Sequence, residues 1–357
     1  MDIATARKAL VGKAQTVLGP VRPEHLGPTM THEHLVIDLS PLYLANVPKE
    51  ASRRGKFFAP LSIELLGALK YGGQTNVDNV RLLDVQTAID EAALYKQAGG
   101  GTIVEATSVG LGRDPRALAR ISRATALHVV MGASYYVEPS YPSKMDDRSE
   151  DDIVEEIVRD VLMGVDDTEI RSGVIGEVGC SWPMTANERK VLRASGRAQL
   201  ISGAPLMVHP GRNEMAPLEI IDVLREVKAD LSRTIVCHLD RTVAERATLK
   251  QLAETGCILE YDLFGTEYSY YRLQPQFDMP SDAQRIQWLA WLIAEGHGHQ
   301  ITVSHDIDAK YSLVRYGGFG YAHILENIVP RLRKKGFKEA DIQAIVVENP
   351  RRVLTFA

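Results

Sequence analysis

The sequence switches between two hydrophobic periods eight times, and that alternation leaves few folds open to it. Runs with the two-residue period or the unbroken apolar character of strands occupy residues 29–37, 102–107, 128–135, 173–177, 205–209, 234–238, 257–262 and 300–306. Stretches with helical spacing come after them, at 83–97, 115–125, 151–163, 186–202, 217–227, 243–254, 282–295 and 322–334. Eight strand–helix units in 357 residues predict an α/β protein, a (β/α)8 TIM barrel with its active site at the C-terminal ends of the strands. A doubly wound open sheet is the rival arrangement, and no Gly-x-Gly-x-x-Gly after the first strand supports it.

The remaining segments fit around that barrel, so residues 1–357 are expected to form a single domain. Residues 1–28 hold a hairpin signal at Gln15-Thr-Val-Leu-Gly-Pro-Val21, and residues 40–81 form a loop insertion broken at Tyr71-Gly-Gly-Gln74. Residues 338–357 supply a terminal helix. A net charge of -5 gives no basic field for a phosphate backbone, which excludes nucleic acid as the expected partner. No apolar run approaches the ~18 residues that a membrane span needs. Cys180, Cys237 and Cys257 are odd in number and unpaired in spacing, which points to reduced thiols and the cytosol.

Barrel enzymes draw catalytic side chains from the ends of different strands, so the strand ends are where chemistry should appear. His32 and His34 lie two apart in Thr31-His-Glu-His-Leu35 and project to one side of an extended strand, while Glu33 faces the other way. Strand four ends at Glu177, strand five at His209, strand six at His238 and strand eight at Asp306. Each alone has a plain structural explanation, such as an edge hydrogen bond or a turn cap. Together, four of the ten histidines and two acids fall at one rim. His25, His128, His297, His299 and His305 sit at strand starts, loops or the wrong parity, and His323 opens a helix. Six such donors exceed one tetrahedral zinc with an open position, and they suit two divalent ions that share a carboxylate and a hydroxide. Zinc is the expected ion, although manganese, iron and cobalt accept the same donors. Asp306 is the expected catalytic residue, holding one metal and accepting the nucleophile's proton before passing it to the leaving group.

At this point the residues resemble a known family. Thr31-His-Glu-His-Leu35, Gly176-Glu-Val-Gly-Cys-Ser-Trp-Pro183, Val208-His-Pro-Gly-Arg212, Cys237-His-Leu-Asp-Arg241, Glu260-Tyr-Asp-Leu-Phe-Gly265 and Arg315-Tyr-Gly-Gly-Phe-Gly-Tyr321 are similar to the phosphotriesterase-related branch of the phosphotriesterase family, in the amidohydrolase superfamily. The similarity runs from about Gly12 to the C-terminus. It implies a barrel with a binuclear centre in which His32, His34, Glu177 and Asp306 hold the buried metal. It further implies that Glu177, His209 and His238 hold the exposed one. Founding members bridge their metals with a carboxylated lysine, and Glu177 at that position weighs against organophosphate hydrolysis. The resemblance implies an amidase acting by attack of a metal-bridging hydroxide, with N-acetyltaurine giving taurine and acetate and related N-acyl amino acids as lesser substrates. An esterase, lactonase or phosphotriesterase is the enzymatic alternative, and a non-catalytic metal-binding barrel the other. For the substrate pocket the expectations are Arg241, to meet an anionic end, with Glu105, Tyr135, Asp262, Phe264 and Tyr316. Related barrels are often dimers, which leaves a homodimer open, and no single exposed stripe in the sequence marks an interface.

Overall fold

Along each β-strand the side chains alternate between two apolar layers, and closing the sheet on itself lets both be buried. Val104, Val130, Val174, Met207, Ile235 and Ile258 fill the inner layer together with Ala14 and Leu26 from the N-terminal segment and Val353 and Leu354 from the C-terminal one. Ile103, Val129, Ile175, Val208, Val236 and Leu259, their neighbours in sequence, face outward into the larger core shared with the helices. This is a computed structural model, and it describes residues 2–72, 76–267, 271 and 273–357. The barrel strands are β1 (Thr29–Glu33), β2 (Thr102–Glu105), β3 (His128–Ala133), β4 (Val174–Gly179), β5 (Leu206–His209), β6 (Thr234–Val236), β7 (Ile258–Tyr261) and β8 (Ile301–Val303). They lie in chain order, and every pair is parallel.

Between β8 and β1 a side chain seals the seam. The Ser304 hydroxyl donates to the His32 carbonyl at 2.7 Å and accepts from the His32 amide at 3.0 Å, and the Asp306 amide donates to the same carbonyl at 3.2 Å.

Helices begin where the sequence offers a capping side chain. Asp114 accepts from the amides of Arg116 and Ala117 ahead of Pro115–Thr125, and Thr185 with Glu188 closes a capping box on Ala186–Ser202. Both helices match their expected limits.

Other limits moved. The first strand stops at Glu33, and Ile37–Asp38 pairs antiparallel with Arg81–Leu82 instead. β6 and β8 stop at Val236 and Val303, short of His238 and Asp306. The 40–81 insertion holds the helices Ser40–Leu44, Ala51–Phe58 and Ile63–Gly72, and part of its expected break, at 73–74, lies outside the described residues. A helix at Ile3–Leu10 was not anticipated, although Asp2 caps it and Ala6 and Leu10 form its buried stripe. Among the described residues no helix is long and apolar enough to cross a membrane.

A candidate metal centre and its cavity

Two of the barrel strands carry one extra residue at their C-terminal ends, and each insertion turns a donor inward. On β1 the pairing slips between Met30 and Glu33, so His32 and His34 both point into the mouth although Met30 points out. On β4 it slips between Ile175 and Val178, which brings Glu177 inward. Gly176 permits this, with φ of 127° and a backbone so close to the Met207 carbonyl that a Cβ would sit 2.2 Å from it. His238 and Asp306 lie beyond their strands with φ of 55° and 50°, left-handed conformations that aim both side chains at the same mouth.

The six expected donors converge. Glu177 Oε2 lies 2.7 Å from His209 Nδ1 and 3.0 Å from His238 Nε2. Glu177 Oε1 lies 3.9 Å from His34 Nε2, which is 3.2 Å from Asp306 Oδ1, and His32 Nε2 lies 3.5 Å from that same oxygen. His32 Nε2 also lies 3.6 Å from Glu177 Oε2, so Glu177 stands among all four imidazoles. Donors around one tetrahedral zinc are about 3.3 Å apart, given Zn–ligand bonds near 2.0–2.1 Å. The observed separations bracket that value. His32 is wholly buried, and while its Nδ1 lies 3.3 Å from Asp262 Oδ2 its Nε2 has no hydrogen-bond partner, as expected of a nitrogen whose partner is an ion. His32, His34 and Asp306 form one group able to hold a metal, and His32, Glu177 and His238 another.

Outer residues aim these donors. The Thr107 hydroxyl donates to Glu105 at 2.6 Å and so accepts from His34 Nδ1 at 2.8 Å, which leaves the His34 Nε2 lone pair facing the centre. Asp262 accepts from the His238 amide at 3.0 Å and lies 2.9 Å from its Nδ1, turning Nε2 toward Glu177. Glu33 Oε1 accepts from the His305 amide and its Oε2 from the Ile307 amide, so the loop bearing Asp306 is clasped on both sides.

The electrostatics of the cluster call for positive charge. Burial alone would push His32, His34 and His238 down, but the neighbouring carboxylates raise all three, His238 to about 9 chiefly through Asp262. Burial would likewise raise Glu177, yet His209 and His32 hold it well below the usual carboxylate range.

Beside the centre opens a cavity of about 550 Å³ whose wall includes Asp306, His209, Tyr136, Arg212, Arg241 and Tyr271. Of the residues expected to line a substrate pocket, only Arg241 does so there; its Nη2 lies 3.0 Å from His209 Nε2. The others are corrected by parity and partners. Glu105 and Tyr135 share the outward parity of Ile103 and Ala133, so Glu105 binds the Leu35 and Val36 amides and Tyr135 the Glu156 carboxylate. Asp262 supports His238 from behind. Phe264 borders a separate cavity of about 380 Å³, and Tyr316 one of about 280 Å³. Sequence reasoning missed Tyr136, Arg212 and Tyr271. Tyr136 lies beyond Ser134, whose φ of 73° breaks the alternation, and Arg212 stands three residues past His209, whereas nothing in the sequence marks Tyr271.

A parallel eight-stranded barrel whose mouth gathers four imidazoles and two carboxylates beside a cavity is the arrangement of a metal-dependent barrel hydrolase. The chain belongs to the phosphotriesterase family, whose model matches residues 12–354. It is 43% identical to the N-acetyltaurine hydrolase of Salmo salar over 349 residues, covering 98% of this chain and 99% of that one. Among solved structures it is similar to a resiniferatoxin-binding protein from Rhodobacter sphaeroides, at 40% identity and a TM-score of 0.91, covering 96% of this chain and 95% of that one. It is also similar to the phosphotriesterase homology protein from Escherichia coli complexed with phosphate in its active site. That match has 27% identity and a TM-score of 0.76, covering 92% of this chain and 99% of the other.

Proposed function

We propose that this protein hydrolyses small N-acyl amides, with N-acetyltaurine as its substrate and taurine and acetate as products. The observation that carries the reading is Glu177, whose Oε2 lies 2.7, 3.0 and 3.6 Å from His209, His238 and His32 while its Oε1 lies 3.9 Å from His34, so one carboxylate stands among all four imidazoles, a donor set suited to two divalent ions. The near full-length similarity to N-acetyltaurine hydrolases supports the choice of substrate. In this reading His32, His34, Glu177, His209, His238 and Asp306 would hold the ions. Zinc fits nitrogen and carboxylate donors of this kind. Bound ions of this type lower the pKa of water toward neutrality and polarise a carbonyl oxygen.

The chain's own residues do the rest. Asp306 borders the cavity and takes the proton that water releases as its oxygen bonds to the acyl carbon. It returns that proton to the amide nitrogen as the C–N bond breaks, the water oxygen leaves in the acetyl product, and the second water proton passes to the taurine amine or to solvent, giving acetate. Glu33 keeps Asp306 in place, while Asp262 and Thr107 keep His238 and His34 turned inward. Tyr136 and Arg241 close the cavity wall beside His209.

Replacing Asp306 with Asn tests this directly. Acetate release from N-acetyltaurine should fall about 10²–10⁴-fold, the usual contribution of a positioned acid–base group, while metal content stays full. Undiminished turnover would remove Asp306 from proton transfer. A wild-type enzyme that cleaves lactones or phosphotriesters and leaves the amide intact would overturn the substrate assignment.

A further inference from the structure

Buried arginines in this fold normally come with their own counter-charges. Arg285, wholly buried, pairs with Asp240 at 2.7 Å and Asp282 at 2.9 Å, and Arg113 pairs with Asp160 at 2.9 Å. The two arginines of the cavity wall, Arg241 buried and Arg212 half-buried, break this habit. Arg241 is 3% exposed and, among the described residues, meets only neutral groups: the Pro210 carbonyl, the Thr242 hydroxyl and His209 Nε2. Arg212 donates from Nε to the Tyr271 hydroxyl at 2.8 Å, with its guanidinium 5.9 Å from that ring's centre. For Arg241 a charge held out of water without a counter-charge is costly, and an anion entering the cavity would supply that counter-charge.

We propose that Arg212 and Arg241 form a two-guanidinium clamp for the anionic end of the substrate, with the Tyr271 hydroxyl holding the Arg212 fork in place. The clamp rests on the amide-hydrolase reading above and adds what selects the substrate: an amide whose amine part ends in a sulfonate or carboxylate. Planar guanidinium groups match the paired oxygens of either anion. Burial would raise the Tyr271 phenol, yet Arg212 and then Arg241 outweigh it and lower it, so the fields of both cations overlap at that hydroxyl. The reacting end of the substrate would lie toward Asp306 and His209 on the same cavity.

The test uses metal-loaded enzyme and three amides with the same two-carbon spacer: N-acetyltaurine, N-acetyl-β-alanine and the neutral N-(2-hydroxyethyl)acetamide. The ratio of kcat/KM for each anionic amide to that for the neutral one reads the clamp, and the two anions separate sulfonate from carboxylate preference. Arg212→Met should lower that ratio at least about tenfold, as expected for the loss of a charge-assisted contact. Arg212→Lys, which keeps the charge and loses the fork, should lower it less, and it decides the matter if the methionine variant does not fold. An unchanged ratio in either variant overturns the clamp. If the wild-type enzyme cleaves none of the three, the hydrolase reading fails separately. Calorimetry with ethanesulfonate then judges the clamp alone: binding that Arg212→Met weakens at least about tenfold supports it. Equal binding, or none by the wild type, overturns it.

Discussion

Glu105 satisfies only one of its two oxygens. Oε1 accepts from the Leu35 and Val36 amides and from the Thr107 hydroxyl, while Oε2 is buried without a partner. Burial accordingly raises the carboxyl from 4.5 to about 7, although His34 and Thr107 pull it down. A carboxyl raised by folding contributes stability that is complete below pH 4.5 and is lost as pH rises through about 7. Glu105→Gln keeps an acceptor oxygen and cannot ionise. Melting curves at a series of pH values should therefore show the wild type losing stability between pH 4.5 and about 7 more steeply than the variant. Parallel curves would mean that Glu105 does not titrate there. The same residue shows what side-chain identity could and could not reveal. An acid at a strand end is visible in the sequence, but whether it faces the mouth or the helices depends on parity, and parity put Glu105 and Tyr135 on the outer layer.

Parity also explains how the metal-site residues were legible while their geometry was not. His209 follows regular alternation from Met207. His32, Glu177 and His238 do not: an extra residue on β1, another on β4 and a left-handed backbone at position 238 each reverse the side chain's direction. Donor chemistry at eight repeated units was enough to assemble the list, because any inward-facing group at that rim meets the others. Insertions of one residue leave no mark in hydrophobic periodicity. The short exit segment after β8 depends in turn on Glu33, whose carboxylate binds on either side of Asp306. Glu33→Gln should reduce metal affinity or kcat by about 10–100-fold, the range seen for outer residues that orient ligands. A metal titration with a parallel rate measurement checks this, and wild-type values for both would show that the segment holds itself.

At the scale of the molecule, the eight-unit architecture was the part most fully expressed in sequence, and the 40–81 insertion the least, since its three short helices follow no sustained period. The barrel should owe part of its thermal stability to bound ions. A ligand at a hundred times its Kd, binding only the folded state, adds about 2.7 kcal/mol. Chelation should lower Tm and added zinc should restore it, whereas Glu177→Gln should blunt the response. Calorimetry that finds the same Tm with and without chelator would separate the ions from stability. The seam sealed by Ser304 bears on biosynthesis. His32 and Ser304 stand 272 residues apart, so the barrel cannot close until nearly the whole chain has been made. A chain cut short of β8 would keep strand edges unpaired, which marks truncated products as prone to aggregate.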